Sequence, residues 1–207
     1  MQNLPLKKIT ATVFVLSAIS FLMLDERFYH LVLTEDKGQR KLLKKLTYIG
    51  DAEWMLIGSL ALYVIGLIMF KFIAKTEIWR TISNKGLFVF AAVALPGIFA
   101  SLTKNTIGRA RPKLFETEGP FGFDFMAFDS KFAGWPSGHT TTAFAMATAI
   151  ALLFPRLAYI TFPLAILAAY TRTALGAHYL ADVTMGAAVG TVGAILVYRW
   201  LKPKLNL

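Results

Sequence analysis

The arrangement of apolar residues constrains this chain more than any other feature of its sequence. Six apolar segments follow one another, at about 9–24, 54–73, 87–102, 140–154, 157–171 and 183–200. A helix needs roughly 20 apolar residues to cross the hydrocarbon core of a bilayer. Hydrophobic residues make up 56% of the chain and charged residues 16%, which is far from the balance of a soluble domain. The sequence therefore predicts an all-α integral membrane bundle of six transmembrane helices in a single domain, residues 1–207.

The fourth and fifth segments are short and are separated only by Pro155 and Arg156. A proline beside a charged residue is typical of a tight turn at a membrane interface, so two spans are predicted here. A single long buried hairpin or a kinked helix is the alternative. In the last segment, Gly186, Gly190 and Gly193 predict close packing against a neighbouring helix.

An amphipathic pattern lies between the first two segments. In residues 40–46, Leu42, Leu43 and Leu46 share one helical face and the basic residues share another. This pattern predicts a helix that lies on the membrane surface. A solvated loop with accidental amphipathicity is the alternative.

The net charge of +10 and the absence of cysteine narrow the function further. Basic residues lie mostly between the apolar segments, where they meet anionic lipid headgroups or set topology, so nucleic acid is the weaker interpretation of the charge. Disulfides, thiolate metal sites and cysteine nucleophiles are excluded. A count of basic residues on the two sides does not decide the orientation. Residues 103–139 and 172–182 are separated by two predicted spans, so we expect them on the same side.

Arg172, His178 and Asp182 form one of three clusters of charged or titratable residues on that side. His178 and Asp182 are four residues apart, so on a helix they would share one face and could meet. An aspartate bonded to one ring nitrogen would fix the tautomer and leave the other nitrogen free to attack phosphorus. Arg172 would reach the phosphate from the preceding turn. A merely stabilising surface pair is the alternative.

The second cluster is the tetrapeptide 136–139, Pro-Ser-Gly-His. Ser137 is a candidate N-cap of the fourth segment, which would leave the backbone N–H groups of Gly138 and His139 facing an anion. Ser137 and Gly138 are therefore candidate phosphate contacts, and His139 is the candidate general acid for the leaving alkoxide. An ordinary capped helix start with an interfacial histidine is the alternative.

Lys104 and Arg111, in the first cluster, are seven residues apart, which is two helical turns. On a helix both would lie on one side, where an arginine fork and a lysine point charge suit phosphate oxygens. Two snorkelling basic residues at the end of a span are the alternative.

Together the three clusters resemble the signature of the type 2 phosphatidic acid phosphatase superfamily. The shared pattern is Lys104, six residues, Arg111-Pro112; then the tetrapeptide 136–139; then Arg172, five residues, His178, three residues, Asp182. The resemblance covers a core of residues 87–200. Thr171 stands where the family usually has serine, which keeps the hydroxyl.

The resemblance implies a six-helix membrane phosphatase that acts through a phosphohistidine. His178 would be the nucleophile, and His139 the acid that later activates water. The implied phosphate-binding residues are Lys104, Arg111, Ser137, Gly138 and Arg172. No metal-ligand set is evident in the sequence, so we expect a metal-independent hydrolase without a cofactor.

The resemblance leaves the substrate open within the lipid phosphates. The candidates are undecaprenyl pyrophosphate, lipid A 1-phosphate, phosphatidylglycerol phosphate and phosphatidic acid, with a slight preference for the first two. A lipid phosphotransferase with the same intermediate, or a non-enzymatic anion transporter, is the alternative. We expect a lipid phosphate and the membrane as partners, with no nucleic acid and no obligate protein partner. The expected location is the bacterial inner membrane, with the active site on the periplasmic face.

Overall fold

The computed structural model of the protein describes residues 6–207, with side chains from residue 11 onward. The first five residues of the predicted domain lie outside this range. Nine α-helices form within it: α1 (Leu6–Ile19), α2 (Asp25–Val32), α3 (Lys37–Leu46), α4 (Ala52–Ile68), α5 (Glu77–Ile107), α6 (Phe115–Glu118), α7 (Gly138–Leu153), α8 (Ala158–Ala174) and α9 (Leu180–Leu205).

The predicted all-α fold is confirmed, and the six longest helices coincide with the six apolar segments. Helices α1 and α4 continue as π-helical turns over Ser20–Leu24 and Met69–Ile73. A 3-10 turn at Pro155–Leu157 separates α7 from α8. The fourth and fifth segments are therefore two helices and not one kinked helix.

Three helical stretches among the described residues are long and apolar enough to cross a membrane: Lys37–Ile73, Glu77–Ile107 and Leu180–Leu205. Helix α7 is apolar but has 16 residues. At 1.5 Å per residue it spans about 24 Å, which is short of the roughly 30 Å of a hydrocarbon core. The protein is an integral membrane protein, and the full set of six spans stays a prediction.

Helix α3 forms where the amphipathic pattern predicts a helix. Asp36 caps it by accepting a hydrogen bond from the backbone N–H of Gln39 at 2.7 Å. None of the residues of α3 is buried, and Leu42 is exposed on it. A helix is therefore confirmed here, while its position on a membrane surface stays a prediction.

Helices α5, α7 and α9 pack around a shared core of small and aromatic side chains. Phe88, Val93, Ala145 and Ala194 are fully buried in it. A Cβ atom at Gly190 would lie 2.2 Å from the backbone oxygen of Thr141, so only glycine permits this approach of α9 to α7. The close packing predicted from the small residues of α9 is confirmed.

A backbone hydrogen bond joins residues 103–139 to residues 172–182 at one end of the bundle. The backbone N–H of Ser137, which precedes α7, donates to the carbonyl oxygen of Asp182 in the first turn of α9 at 3.0 Å. Gly186 continues this contact, because its Cβ would lie 2.7 Å from the carbonyl oxygen of Ser137. The prediction that these two stretches lie on the same side is confirmed.

Candidate active site

His178 is held in place on two sides before α9 begins. Its backbone N–H donates to the carbonyl oxygen of Arg172 at 3.2 Å. Its ring Nδ1 lies 2.8 Å from the carbonyl oxygen of Gly134. A carbonyl oxygen can only accept a hydrogen bond, so Nδ1 carries the proton in this arrangement. The other ring nitrogen, Nε2, therefore keeps its lone pair and is available as a nucleophile.

His178 and Asp182 lie close together as predicted, but they do not share a helical face. Helix α9 begins at Leu180, with Tyr179 as its N-cap, so His178 precedes the helix. The Asp182 carboxylate instead accepts the backbone N–H of Tyr179 at 2.8 Å, as part of a capping box. Its Oδ2 lies 3.6 Å from His178 Nδ1, which is too long for a hydrogen bond. Gly134, not Asp182, fixes the tautomer, and Asp182 acts on the ring by its charge.

Gly134 was not singled out from the sequence, and its position explains why a glycine is needed. Its backbone N–H donates to the carbonyl oxygen of Arg109 at 2.9 Å, so the two loops run side by side. A Cβ atom at this position would lie 2.8 Å from that oxygen. The signal in the sequence was a glycine two residues before the tetrapeptide 136–139, which is too common a feature to indicate a role.

Arg109 and Asp25 were likewise not predicted from the sequence as residues of the site. The Arg109 guanidinium donates to Asp182 Oδ1 at 2.5 Å and to Asp25 Oδ2 at 2.6 Å, and it lies between the rings of Phe21 and Tyr179. The position of Asp25 at the end of the first apolar segment indicated that it has a partner, because ionisable residues at membrane depth are costly unless paired. Its partner, 84 residues away, could not be identified from the sequence.

Lys104 and Arg111 do not share a helix, which corrects the spacing argument. Gly108 adopts a left-handed conformation, with φ of +62°, and ends α5 at Ile107. Arg111 lies beyond it in the loop, where its Nε donates to the carbonyl oxygen of Ala133 at 3.3 Å. The two side chains still interact electrostatically. The turn at Gly108, and not helical periodicity, brings them together.

Arg172, in the last turn of α8, presents a buried donor without a partner. Its Nη1 donates to the hydroxyl of Thr47 at 3.0 Å. Its Nε has no hydrogen-bond partner within the described part of the chain. Because a buried donor is costly when unsatisfied, this N–H suits a bound anion. Thr47, which follows α3, is a further contact that the sequence did not indicate.

Ser137 precedes α7 as predicted, although its side chain makes no capping bond. The Ser137 hydroxyl instead accepts a hydrogen bond from Thr140 at 3.1 Å. The first turn of a helix leaves backbone N–H groups without helical partners, and the helix dipole favours an anion there. A Cβ atom at Gly138 would meet no heavy atom within 4 Å, so open space lies next to this turn.

The eight predicted site residues therefore converge at one end of the bundle. The charges of Arg172, Asp51, His178 and Lys104 all act on His139. Those of Asp182, Arg111 and Arg172 act on His178. Three cations and two imidazoles around the start of a helix are an arrangement that suits a phosphate group.

Burial lowers the pKa of His178 below its ordinary value, and Arg111 and Arg172 act in the same direction. Asp182 opposes them. Since an imidazole ordinarily titrates near pH 6.5, His178 is neutral at physiological pH. Neutrality leaves Nε2 free to attack an electrophile.

A cavity of about 480 Å³ opens beside His139, between α4, α5 and α7. Asp51, Gly138 and His139 line its end at the site. Apolar side chains of α4 and α5 line the rest, including Leu56, Phe90, Val93 and Ile98. A group whose polar end occupies the cationic site can therefore extend an apolar part into this cavity.

Sequence comparison identifies the family. The model of the PAP2 superfamily matches residues 85–205, which include all three clusters. The chain belongs to the PAP2 superfamily. The resemblance stated from the motifs is thereby confirmed.

Two curated relatives and one solved structure are similar to this PAP2 protein. A Rhizobium johnstonii protein named lipid A 1-phosphatase is 38% identical over 73% of this chain and 63% of its own length. A Rhizobium etli protein of the same name is 37% identical over 73% of this chain and 66% of its own length. The match thus spans slightly less than two thirds of each relative.

The solved structure is that of a transmembrane PAP2 type phosphatidylglycerolphosphate phosphatase from Bacillus subtilis. It is similar with a TM-score of 0.64 and 22% identity, over 92% of this chain and 94% of that one. At this identity the similarity establishes the fold.

Proposed function

We propose that the protein is a membrane phosphatase that removes a phosphate from a lipid, with the 1-phosphate of lipid A as the leading substrate. The observation that carries the proposal is His178, whose Nδ1 is bonded to Gly134 and whose Nε2 is free beside Arg111 and Arg172. The names of the two Rhizobium relatives favour lipid A among the lipid phosphates.

The first half-reaction follows from this placement. The lone pair of His178 Nε2 attacks phosphorus while the bond from phosphorus to the lipid oxygen breaks. His139 donates its proton to the departing alkoxide. Lys104, Arg111 and Arg172 balance the charge on the phosphoryl oxygens, and the backbone N–H groups at the start of α7 complete the cradle. The product is a phosphohistidine and a free lipid alcohol.

The second half-reaction reverses the role of His139. Now a base, His139 takes a proton from water, whose oxygen attacks the phosphorus of the phosphohistidine. The bond between phosphorus and Nε2 breaks and inorganic phosphate leaves. Each proton and electron pair is returned, so the proposed cycle needs neither a metal nor another cofactor.

The cavity beside His139 supports a lipid substrate. The leaving group departs next to His139, and this cavity begins at that residue. Its apolar part along α4 and α5 suits the body of a lipid and not a water-soluble sugar or nucleotide. The whole chain would then act as one domain, with the six long helices all in the bilayer.

We further propose that the site faces the periplasm from the inner membrane. Helices α4 and α5 run away from the site and back, and Lys71, Lys75, Arg80 and Lys85 surround the short connection at the far end. Positive charge in a short loop favours the cytoplasmic side. Because the natural chain has no cysteine, a Thr76→Cys variant tests this directly. Labelling from the outside of intact cells by an impermeant thiol reagent would contradict the orientation.

The test of the function is phosphate release by detergent-purified protein in excess chelator. The substrates are lipid A, undecaprenyl pyrophosphate, phosphatidylglycerol phosphate and phosphatidic acid, with His178→Ala as the blank. We expect release that survives chelation, is fastest with lipid A and is absent in the variant. No release from any lipid would refute the proposed activity, and release only in the presence of added metal would refute the metal-independent mechanism.

A further inference from the structure

Three buried charged residues form a hydrogen-bonded triad that ends beside His178. Asp25, Arg109 and Asp182 are each at most 1% exposed. Arg109 joins the two carboxylates by hydrogen bonds of 2.6 Å to Asp25 and 2.5 Å to Asp182. Its remaining donors reach the carbonyl oxygen of Pro120 at 2.8 and 3.3 Å. A residue of α2 is thereby connected to the loop that carries His178.

The contacts of both carboxylates favour the ionised form and, at Asp25, oppose burial, which raises the pKa of that carboxyl. Asp25 Oδ1 accepts the backbone N–H of Ala181 at 2.8 Å, and Oδ2 accepts Arg109. Asp182 accepts Arg109 on Oδ1 and the backbone N–H of Tyr179 on Oδ2. Every contact of these oxygens is with a donor, and a carboxylate that receives several N–H donors favours its charged form.

In this ionised form, the charges of Asp25, Arg109 and Asp182 sum to minus one. Without Asp25, the cation of Arg109 would cancel Asp182, and no net negative charge would stand beside His178. With Asp25, Arg109 is shared between two carboxylates and one negative charge remains. That charge matters because Asp182 makes no hydrogen bond to the ring and acts on it across 3.6 Å by electrostatics alone.

We propose that Asp25 and Arg109 are positioning residues for phosphoryl transfer, which act through Asp182 on His178. Arg109 holds the Asp182 carboxylate beside the ring, and Asp25 supplies the charge that keeps this carboxylate effective. The imidazole becomes cationic when Nε2 receives the phosphoryl group while Nδ1 keeps its proton. The net negative charge stabilises that cation. The proposal rests on the proposed function and adds two residues to its machinery.

Other groups face the same loop. Arg111 and Arg172 act on His178 from the loop after α5 and from α8, and both disfavour a cationic ring. His139 lies across the site on α7. Tyr179, which is buried against Arg109, meets the ring of Tyr29 edge to face at 6.1 Å. Among these groups, the triad of Asp25, Arg109 and Asp182 is the source of negative charge next to His178.

The experiment is a series of variants in which the summed charge of the triad Asp25, Arg109 and Asp182 changes stepwise. Asp25→Asn brings the charge of the triad to zero, Arg109→Gln brings it to minus two, and the double variant restores minus one. Glu26→Gln, an exposed neighbour of Asp25 on α2, is the matched control for loss of an acidic side chain. The readouts are kcat and KM for phosphate release, the acid limb of the pH profile and the melting temperature.

We expect Asp25→Asn to lower kcat about tenfold, the factor that corresponds to one unit of imidazole basicity. KM should stay within about twofold, because Asp25 does not face the phosphate site. The acid limb should move to lower pH in Asp25→Asn, to higher pH in Arg109→Gln and back to the parent position in the double variant. Glu26→Gln should match the parent.

If the two residues had a merely structural role, the variants would have lower melting temperatures, but their acid limbs would not shift in the predicted directions. That outcome would overturn the proposal. So would a parent-like kcat in Asp25→Asn. Should Asp25→Asn not be recovered folded, an unchanged acid limb in Arg109→Gln would overturn it equally. Failure of the proposed function is distinguishable, because the parent protein itself would then release no phosphate.

Discussion

Gly134 is the position at which a single methyl group tests the placement of His178. A Cβ atom there would lie 2.8 Å from the carbonyl oxygen of Arg109 and 3.2 Å from that of Ala110. Both neighbours are backbone atoms, so Gly134→Ala forces the two loops apart by a few tenths of an ångström. The carbonyl oxygen that accepts from His178 Nδ1 at 2.8 Å moves with them.

The loss of kcat in Gly134→Ala depends on the reaction state in which the hydrogen bond from His178 to Gly134 is strongest. In the phosphohistidine the ring is cationic, and a hydrogen bond to a charged group contributes about 1.5–3 kcal/mol. Each 1.4 kcal/mol is roughly a factor of ten in rate. Gly134→Ala should therefore lower kcat by about 10- to 100-fold. KM should change little, because Gly134 bonds to the proposed nucleophile and to Arg109, and not to a residue proposed to hold the phosphate.

Phosphate release from mixed micelles at saturating lipid measures this loss. Gly58→Ala is the matched control, because a Cβ atom at Gly58 of α4 would meet no heavy atom within 4 Å. The control should keep the parent kcat and gain slightly in helix stability. If folded Gly134→Ala has a kcat within twofold of the parent, the bond from His178 to Gly134 does not position the nucleophile.

Three further predictions concern the acid, the nucleophile and the packing. His139→Ala should lower the rate with a lipid substrate far more than with an aryl phosphate, whose leaving group needs little protonation; equal losses would contradict its role as the acid. Because burial lowers the pKa of His178, the acid limb of kcat/KM should fall below about pH 6.5. A limb above that value would show that the ring is not desolvated as described. Gly190→Leu should prevent close packing of α9 on α7 and lower the melting temperature by several degrees, since its Cβ would lie 2.2 Å from Thr141 oxygen. Gly58→Leu, which adds the same side chain in open space, should leave the melting temperature near that of the parent.

The helices could be predicted from the sequence because hydrophobic patterning is a local signal. Each of the six apolar segments coincides with one long helix. The turn at Pro155 could be predicted from a proline beside a charged residue. Lengths were less predictable. Helix α5 starts at Glu77, ten residues before the apolar segment, and its first turn is exposed. Farther along this polar stretch, Ser83 donates to the carbonyl oxygen of Tyr63 and Asn84 to that of Leu205. Polar residues within a helix carry no such signal of their own.

The residues of the site were predictable, whereas their geometry was not. Regular spacing suggested helical faces for Lys104 with Arg111 and for His178 with Asp182, yet both pairs straddle a helix end. A left-handed glycine in the first case and an N-cap in the second decide the geometry. Such ends depend on tertiary contacts, which spacing alone does not encode.

The supporting residues were the hardest to predict, because their partners are distant in the chain. Asp25 meets Arg109 across 84 positions, and His178 meets Gly134 across 44. Neither bond follows from a motif. Without a partner in view, Asp25 is one acidic residue after an apolar segment, and Gly134 is one glycine in a loop.

The phosphohistidine at His178 is the central claim, and trapping it is the most direct test. Purified protein is mixed with lipid carrying a radiolabelled phosphate, quenched in alkali within one turnover and mapped by proteolysis. We predict label on the peptide that contains His178, in a bond stable to alkali and labile to acid, and no label in His178→Ala. Full turnover without labelled protein on that timescale, or label on another residue, would contradict the account.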